Sequence, residues 1–111
     1  MQGNYRLMRD DTHIGTFTIN SADGVYTYIA VAHKDEQPLL FKLELQGTVS
    51  KTLSGEVVQT WLFTRAPESN YVFIDALMDK AGITQYDPLA FVEYNSGRFN
   101  TDKYYLEVYN R

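Results

Sequence analysis

Few side chains in this sequence can do chemistry near neutral pH, and their spacing limits what that chemistry can be. The two histidines, His13 and His33, lie far apart, each in or beside a polar turn segment. Neither has a second histidine about three to five residues away, the spacing that presents two imidazoles to one metal ion. Both are expected on the surface. Cysteine is absent, which excludes thiolate catalysis, thiolate metal sites and disulfides. Carboxylates pair as Asp10-Asp11 and as Asp75 with Asp79. The second pair has helical spacing and would share one face. With only Lys80 beside it, it reads as solvated like charge rather than as a cation site. A general acid–base pair needs surroundings that drive two pKa values apart, and the local sequence supplies none. No Gly-x-Ser-x-Gly elbow occurs. Gly15, Gly24, Gly47, Gly55, Gly82 and Gly97 are scattered as for turns, bulges and caps, not gathered in a phosphate-binding loop. The reading is therefore non-catalytic: no catalytic residue, no metal and no cofactor is assigned.

Binding chemistry is better represented. The formal net charge is -4, which argues against a general affinity for phosphate backbones. The whole excess lies between residues 66 and 97, where Glu68, Asp75, Asp79, Asp87 and Glu93 face Lys80 alone. That stretch is a candidate acidic docking face for a basic partner. Tyrosine is frequent, 9 of 111 residues, and offers area, rigidity and a hydroxyl at interfaces. A second candidate surface joins Arg6, Arg9, Tyr26 and Tyr28 on one sheet face, with Lys42 beside them and Tyr104 and Tyr105 in the tail. Cationic and aromatic groups on one face are what stacking unpaired bases requires.

These residues need elements to hold them. Segments 5–9, 14–19 and 25–31 read as strands separated by polar turns, Asp10-Asp11-Thr12-His13 and Asn20 to Gly24. Leu39, Phe41, Leu43 and Leu45 alternate with Leu40, Lys42, Glu44 and Gln46, a period of two that predicts a fourth strand. Short turns favour an antiparallel meander over residues 1–46, whose apolar face must be covered. The cover is predicted in 54–97. Ser54 could cap a first helix carrying Val57, Val58, Trp61 and Leu62 on one stripe, ended by Pro67. Ser69 or Asn70 could cap a second, with Phe73, Ile74, Leu77, Met78 and Ala81 inward and Gly82 as its stop. Asp87-Pro88 starts a third, with Leu89 and Val92 inward beside Phe91 or Tyr94, running to about Asn95. Residues 103–109 could add a last strand or equally form an extended arm. The expected fold is one α+β domain: a four- to five-stranded antiparallel sheet under about three short helices. At 111 residues it can bury a core without staples. Without a signal-like start or an apolar run of roughly 18 residues, a soluble cytoplasmic protein with no membrane partner is expected.

The stretch from Trp61 to Leu106 has a recognisable order: Trp61-Leu62, Arg65, Pro67, Leu77, Gly82-Ile83, Tyr86-Asp87, Gly97-Arg98-Phe99-Asn100-Thr101-Asp102 and Tyr104-Tyr105-Leu106. It resembles small HipA-like modules of Gram-positive bacteria and their prophages. In these a β-rich and a helical segment precede a kinase-like domain or stand near one. The sequence departs from the pattern at Tyr104-Tyr105, where tryptophan is expected, and at Glu68-Ser69-Asn70, where a second arginine is expected. The resemblance implies a regulatory module severed from its enzyme, an antitoxin-like or accessory subunit.

The leading expectation is thus a small regulator that binds another protein. A phage-encoded inhibitor of a defence nuclease, of the anti-CRISPR type, is the alternative, its carboxylates imitating phosphates in a basic channel. A single-stranded nucleic-acid binder using the sheet face ranks third.

Overall fold

The computed structural model describes residues 1–99 and 102–110. Asn100 and Thr101 of the HipA-like pattern, and Arg111, lie outside the described residues. Among the described residues five strands form one sheet: β1 (Gln2–Arg9), β2 (Thr12–Asn20), β3 (Val25–Ala30), β4 (Thr52–Ser54) and β5 (Tyr104–Asn110). Their order is β4-β3-β2-β1-β5, with every neighbouring pair antiparallel. Among the described residues four α-helices accompany it: α1 (Leu39–Leu45), α2 (Glu56–Phe63), α3 (Ile74–Ala81) and α4 (Pro88–Asn95). The α+β class with an antiparallel sheet is as the sequence predicts, and the tail does supply a final strand, over Tyr104–Asn110.

Local chemistry explains the meander. The β1–β2 hairpin turns through Asp10, whose φ of 52° is left-handed, a conformation aspartate tolerates well. Alternation then sends Tyr5, Leu7, Phe17, Ile19, Tyr26 and Tyr28 inward, all buried. Register places Tyr5 opposite Phe17, and Phe17 opposite Tyr28. Gly15 is required at its position for room. A Cβ there would come within 1.9 Å of the Tyr28 hydroxyl oxygen. That hydroxyl donates to the Gln37 side-chain oxygen, and Gln37 Nε2 donates in turn to the Ile14 carbonyl at 2.8 Å. Burial pushes the Tyr28 hydroxyl pKa upward, so it remains a donor.

Three sequence expectations fail here. Segment 39–45 is a helix, not the fourth strand. Its leucines fit both periods, because Phe41 and Leu45 are one helical turn apart as well as alternate. Phe41 and Leu45 are buried while Leu39 and Leu43 stay 70% and 56% exposed, a helical division that strand alternation cannot give. The strand paired with β3 is instead the three-residue β4, with Leu53 inward. Ser54 belongs to that strand, and the residue before α2 is Gly55, so no serine cap forms. Neither Ser69 nor Asn70 caps α3, which begins after an exposed Phe73.

The core joins sheet to helices through four rings. Phe17 lies 4.7 Å from Tyr28 and 5.7 Å from Trp61, and Phe41 lies 4.5 Å from Tyr28 and 5.4 Å from Trp61. Offset and tilted pairs at these separations add to simple area burial. Val58 and Leu62 of α2, and Leu89, Phe91 and Val92 of α4, are buried with them on the helical side. By contrast, α3 buries no side chain fully. Its stop agrees with the chemistry of its end: Gly82 takes a left-handed φ of 72° as C-cap. Asp87 accepts a hydrogen bond from the Leu89 N–H at 3.0 Å, the cap expected ahead of Pro88.

Candidate functional site

A buried arginine fixes the geometry around the end of α2. Arg65 Nε donates to the Gly97 carbonyl at 2.9 Å, and its two terminal nitrogens donate to the two Asp102 carboxylate oxygens, each at 2.6 Å. The guanidinium also lies 5.0 Å from the centre of the Trp61 ring, close enough for a cation–π contact. Asn95 Nδ2 donates to the Arg65 carbonyl at 3.1 Å, and the Tyr86 hydroxyl donates to the Pro67 carbonyl at 2.7 Å. The exit of α2, the end of α4 and the approach to β5 are thus tied at one knot. Burial alone would raise the Asp102 pKa. The hydrogen bonds and charge of Arg65, with the Tyr104 N–H, outweigh it and hold the carboxyl below its ordinary value. The fold thus pairs two residues that lie 37 positions apart in the sequence.

The knot holds α2 and α4 so that an apolar groove of about 1170 Å³ opens beside them, bounded also by segment 67–72 and by α3. Phe63, Tyr71, Val72, Tyr94 and Phe99 line it and are all exposed, Val72 at 79%. Leu77, Tyr86 and Phe91 continue the lining. Glu68 and Lys80 are its charged residues. Burial raises the Tyr86 hydroxyl pKa, and the nearby carboxylates Glu68 and Asp87 raise it further. The groove is therefore aromatic within and has carboxylates beside Tyr86.

Of the expected acidic face, Glu68, Asp75, Asp79, Asp87 and Glu93 are all exposed. Glu93 is engaged by the chain's N-terminal ammonium group at 3.1 Å. The other four take part in no ion pair among the described residues. Only Glu68 lines the groove.

The expected sheet face does not assemble. Tyr26 and Tyr28 are 8% and 0% exposed, inside the core beneath the helices. Arg6 and Arg9 are an odd number of residues apart on β1, so they point to opposite faces. Arg9 reaches Glu36 at 2.8 Å, while Arg6 reaches Glu107 on β5 at 3.3 Å. Tyr104 and Tyr105 diverge for the same reason. Tyr104 stands edge-on to Trp61 at 6.2 Å, and Tyr105 lies under Arg98 at 4.2 Å on the other side. The outer sheet surface instead gathers Arg6, Tyr105, Glu107 and Tyr109, with Arg6 stacked 4.8 Å from the Tyr109 ring. Lys42 sits on α1 and pairs with Asp35 at 3.6 Å.

Sequence reading missed the groove residues. Tyr71-Val72-Phe73 was the available signal: three adjacent large apolar residues cannot all fall on one helical stripe, so some must face outward. His13 is exposed and contacts the Thr16 hydroxyl at 3.0 Å; His33 is exposed beside Asp35 at 3.2 Å. Among the described residues no three histidine, aspartate or glutamate side chains gather as a metal site, and no helix is long and apolar enough to cross a membrane. Compared with models of known protein families, with curated proteins and with solved structures, the chain matches none.

Proposed function

We propose that this protein is a small protein-binding regulator that docks its partner through the aromatic groove between α2, segment 67–72 and α4. The observation that carries the reading is the groove's lining. Phe63, Tyr71, Val72, Tyr94 and Phe99 expose apolar surface in one place, whereas isolated exposed side chains would need no explanation. Tyrosine and phenylalanine are also the side chains that interfaces favour at their centres. The half-buried stripe of α3 fits the same role, since a docked partner would complete its burial. The HipA-like pattern adds support of another kind: Trp61, Arg65, Gly97 and Asp102, which belong to it, meet in the knot at the end of α2, and Tyr86 and Phe99, which also belong to it, line the groove. An antitoxin-like or accessory subunit of a kinase-like partner is the form this proposal takes.

The test is the affinity of the purified complex with that partner for wild-type protein and for the double variant Tyr71→Ala/Tyr94→Ala. Each ring is exposed, so folding should be unaffected, while binding should weaken at least about tenfold. Unchanged affinity would refute the groove as the docking site.

One observation favours the nuclease-inhibitor reading as a second choice: Glu68, Asp75, Asp79 and Asp87 are exposed and lie outside every ion pair among the described residues. A phosphate-mimicking face would bind with steep salt dependence and lose binding on charge reversal at Asp75 and Asp79. Binding that is equal at low and high salt excludes it.

A further inference from the structure

Resting on the groove as a docking site, we propose that its occupant is a proline-rich segment in polyproline II conformation that carries a basic residue. Size comes first. A groove of about 1170 Å³ exceeds the roughly 300–1000 Å³ of a typical small-molecule pocket. It suits a length of chain.

The chemistry of the lining then separates the recognition modes. An amphipathic helix lays its apolar face into a hydrophobic groove, whereas proline-rich segments dock specifically in aromatic-lined grooves. Here the exposed lining is mainly aromatic, through Phe63, Tyr71, Tyr94 and Phe99, with Val72 the aliphatic exception. A polyproline II segment makes no internal backbone hydrogen bonds, so its carbonyls seek donors. Among the described residues the Tyr86 hydroxyl is already used on Pro67, but those of Tyr71 and Tyr94 make no hydrogen bond within the protein. They are free to donate to such carbonyls.

Charge sets the last requirement. Glu68 lines the groove and Asp87 flanks Tyr86, against the single cation Lys80. Neither carboxylate has an ion-pair partner among the described residues. An arginine or lysine in the segment would supply one, and an acidic segment would be repelled.

The test titrates the isotope-labelled full chain with the peptide Pro-Pro-Arg-Pro-Pro-Arg-Pro-Pro, following amide shifts. Two further probes are the same peptide with both arginines replaced by glutamate, and an amphipathic alanine-leucine-lysine helix of equal charge. The expected result is saturable shifts confined to Phe63, Val72, Tyr94 and their neighbours. The glutamate peptide should bind at least about tenfold more weakly, and Tyr94→Ala should lose the response without a change in melting temperature. If the helical peptide seats in the groove and the proline peptide does not, this inference fails while groove docking survives. If the proline peptide shifts nothing in the groove, the inference fails as well. The docking reading fails separately, when the partner complex is indifferent to Tyr71→Ala/Tyr94→Ala.

Discussion

Asp102→Asn removes a counter-charge from a buried arginine while leaving the shape of the site intact. Taking one partner from a fully buried ion pair costs about 3–5 kcal/mol, because the remaining charge is stranded. Here the Arg65 side chain is 5% exposed but that of Asp102 is 39% exposed, so water reaches one side of the pair. The bond from Arg65 Nε to Gly97 and the stacking on Trp61 also remain. A loss of about 2 kcal/mol follows, or roughly 8 °C in melting temperature for a domain of this size. Urea unfolding followed by Trp61 fluorescence would measure it, with an unchanged denaturant slope showing that the same surface unfolds. The pH dependence has a definite sign. The Asp102 pKa is lowered by folding, so the pair's contribution is fully present above the ordinary carboxylate value of 3.8 and fades as pH falls through the lower folded value. The gap between wild type and Asp102→Asn should be constant from near neutral pH down to about 5 and should close in strong acid. A neutral-pH difference below about 0.5 kcal/mol, or a gap that widens in acid, would refute the argument that this pair anchors the end of α2.

Other expectations concern the core and the helix stops. Gly15→Ala should destabilise by about 3 kcal/mol or more in denaturant titration. Adding Tyr28→Phe should not rescue it, because the new Cβ would also lie 2.1 Å from the ring's Cζ. Trp61→Ala should cost about 3–5 kcal/mol in urea unfolding followed by circular dichroism, since the ring is buried among Phe17, Phe41 and Arg65. Gly82→Val should cost about 1–2 kcal/mol from backbone strain alone, as open space surrounds its Cβ position. A stably folded Trp61→Ala, or a neutral Gly82→Val, would contradict the packing described.

What could be read in the sequence was what short-range chemistry decides. Asp87-Pro88 and Gly82 mark helix ends because a cap and a left-handed turn depend on the residue itself. The first three strands were legible because Asp10-Asp11 and Asn20 to Gly24 are turn-forming and the segments between them alternate. Segment 39–45 was not, since leucines at every second position also include a helical pair, and only contact with Tyr28 and Trp61 decides which period is used. Strand β4 is too short to show a pattern. Tyr26 and Tyr28 were correctly placed on one side of a strand, yet alternation cannot say which side the helices cover. The groove was hidden for a related reason. It depends on how far α3 and segment 67–72 stand from α4, and segment 67–72 is tied near α4 by a contact distant in sequence, the Tyr86 hydroxyl with the Pro67 carbonyl.

The central claim is that the partner sits in the aromatic groove rather than on the open side of the sheet. A photo-crosslinking amino acid placed at Tyr94 in one protein, and at Thr18 in another, tests it directly in the complex. Both positions are exposed, one lining the groove and one on β2 facing away from the core. The account expects covalent capture of the partner from position 94 and none from position 18. Capture from position 18 alone would contradict it.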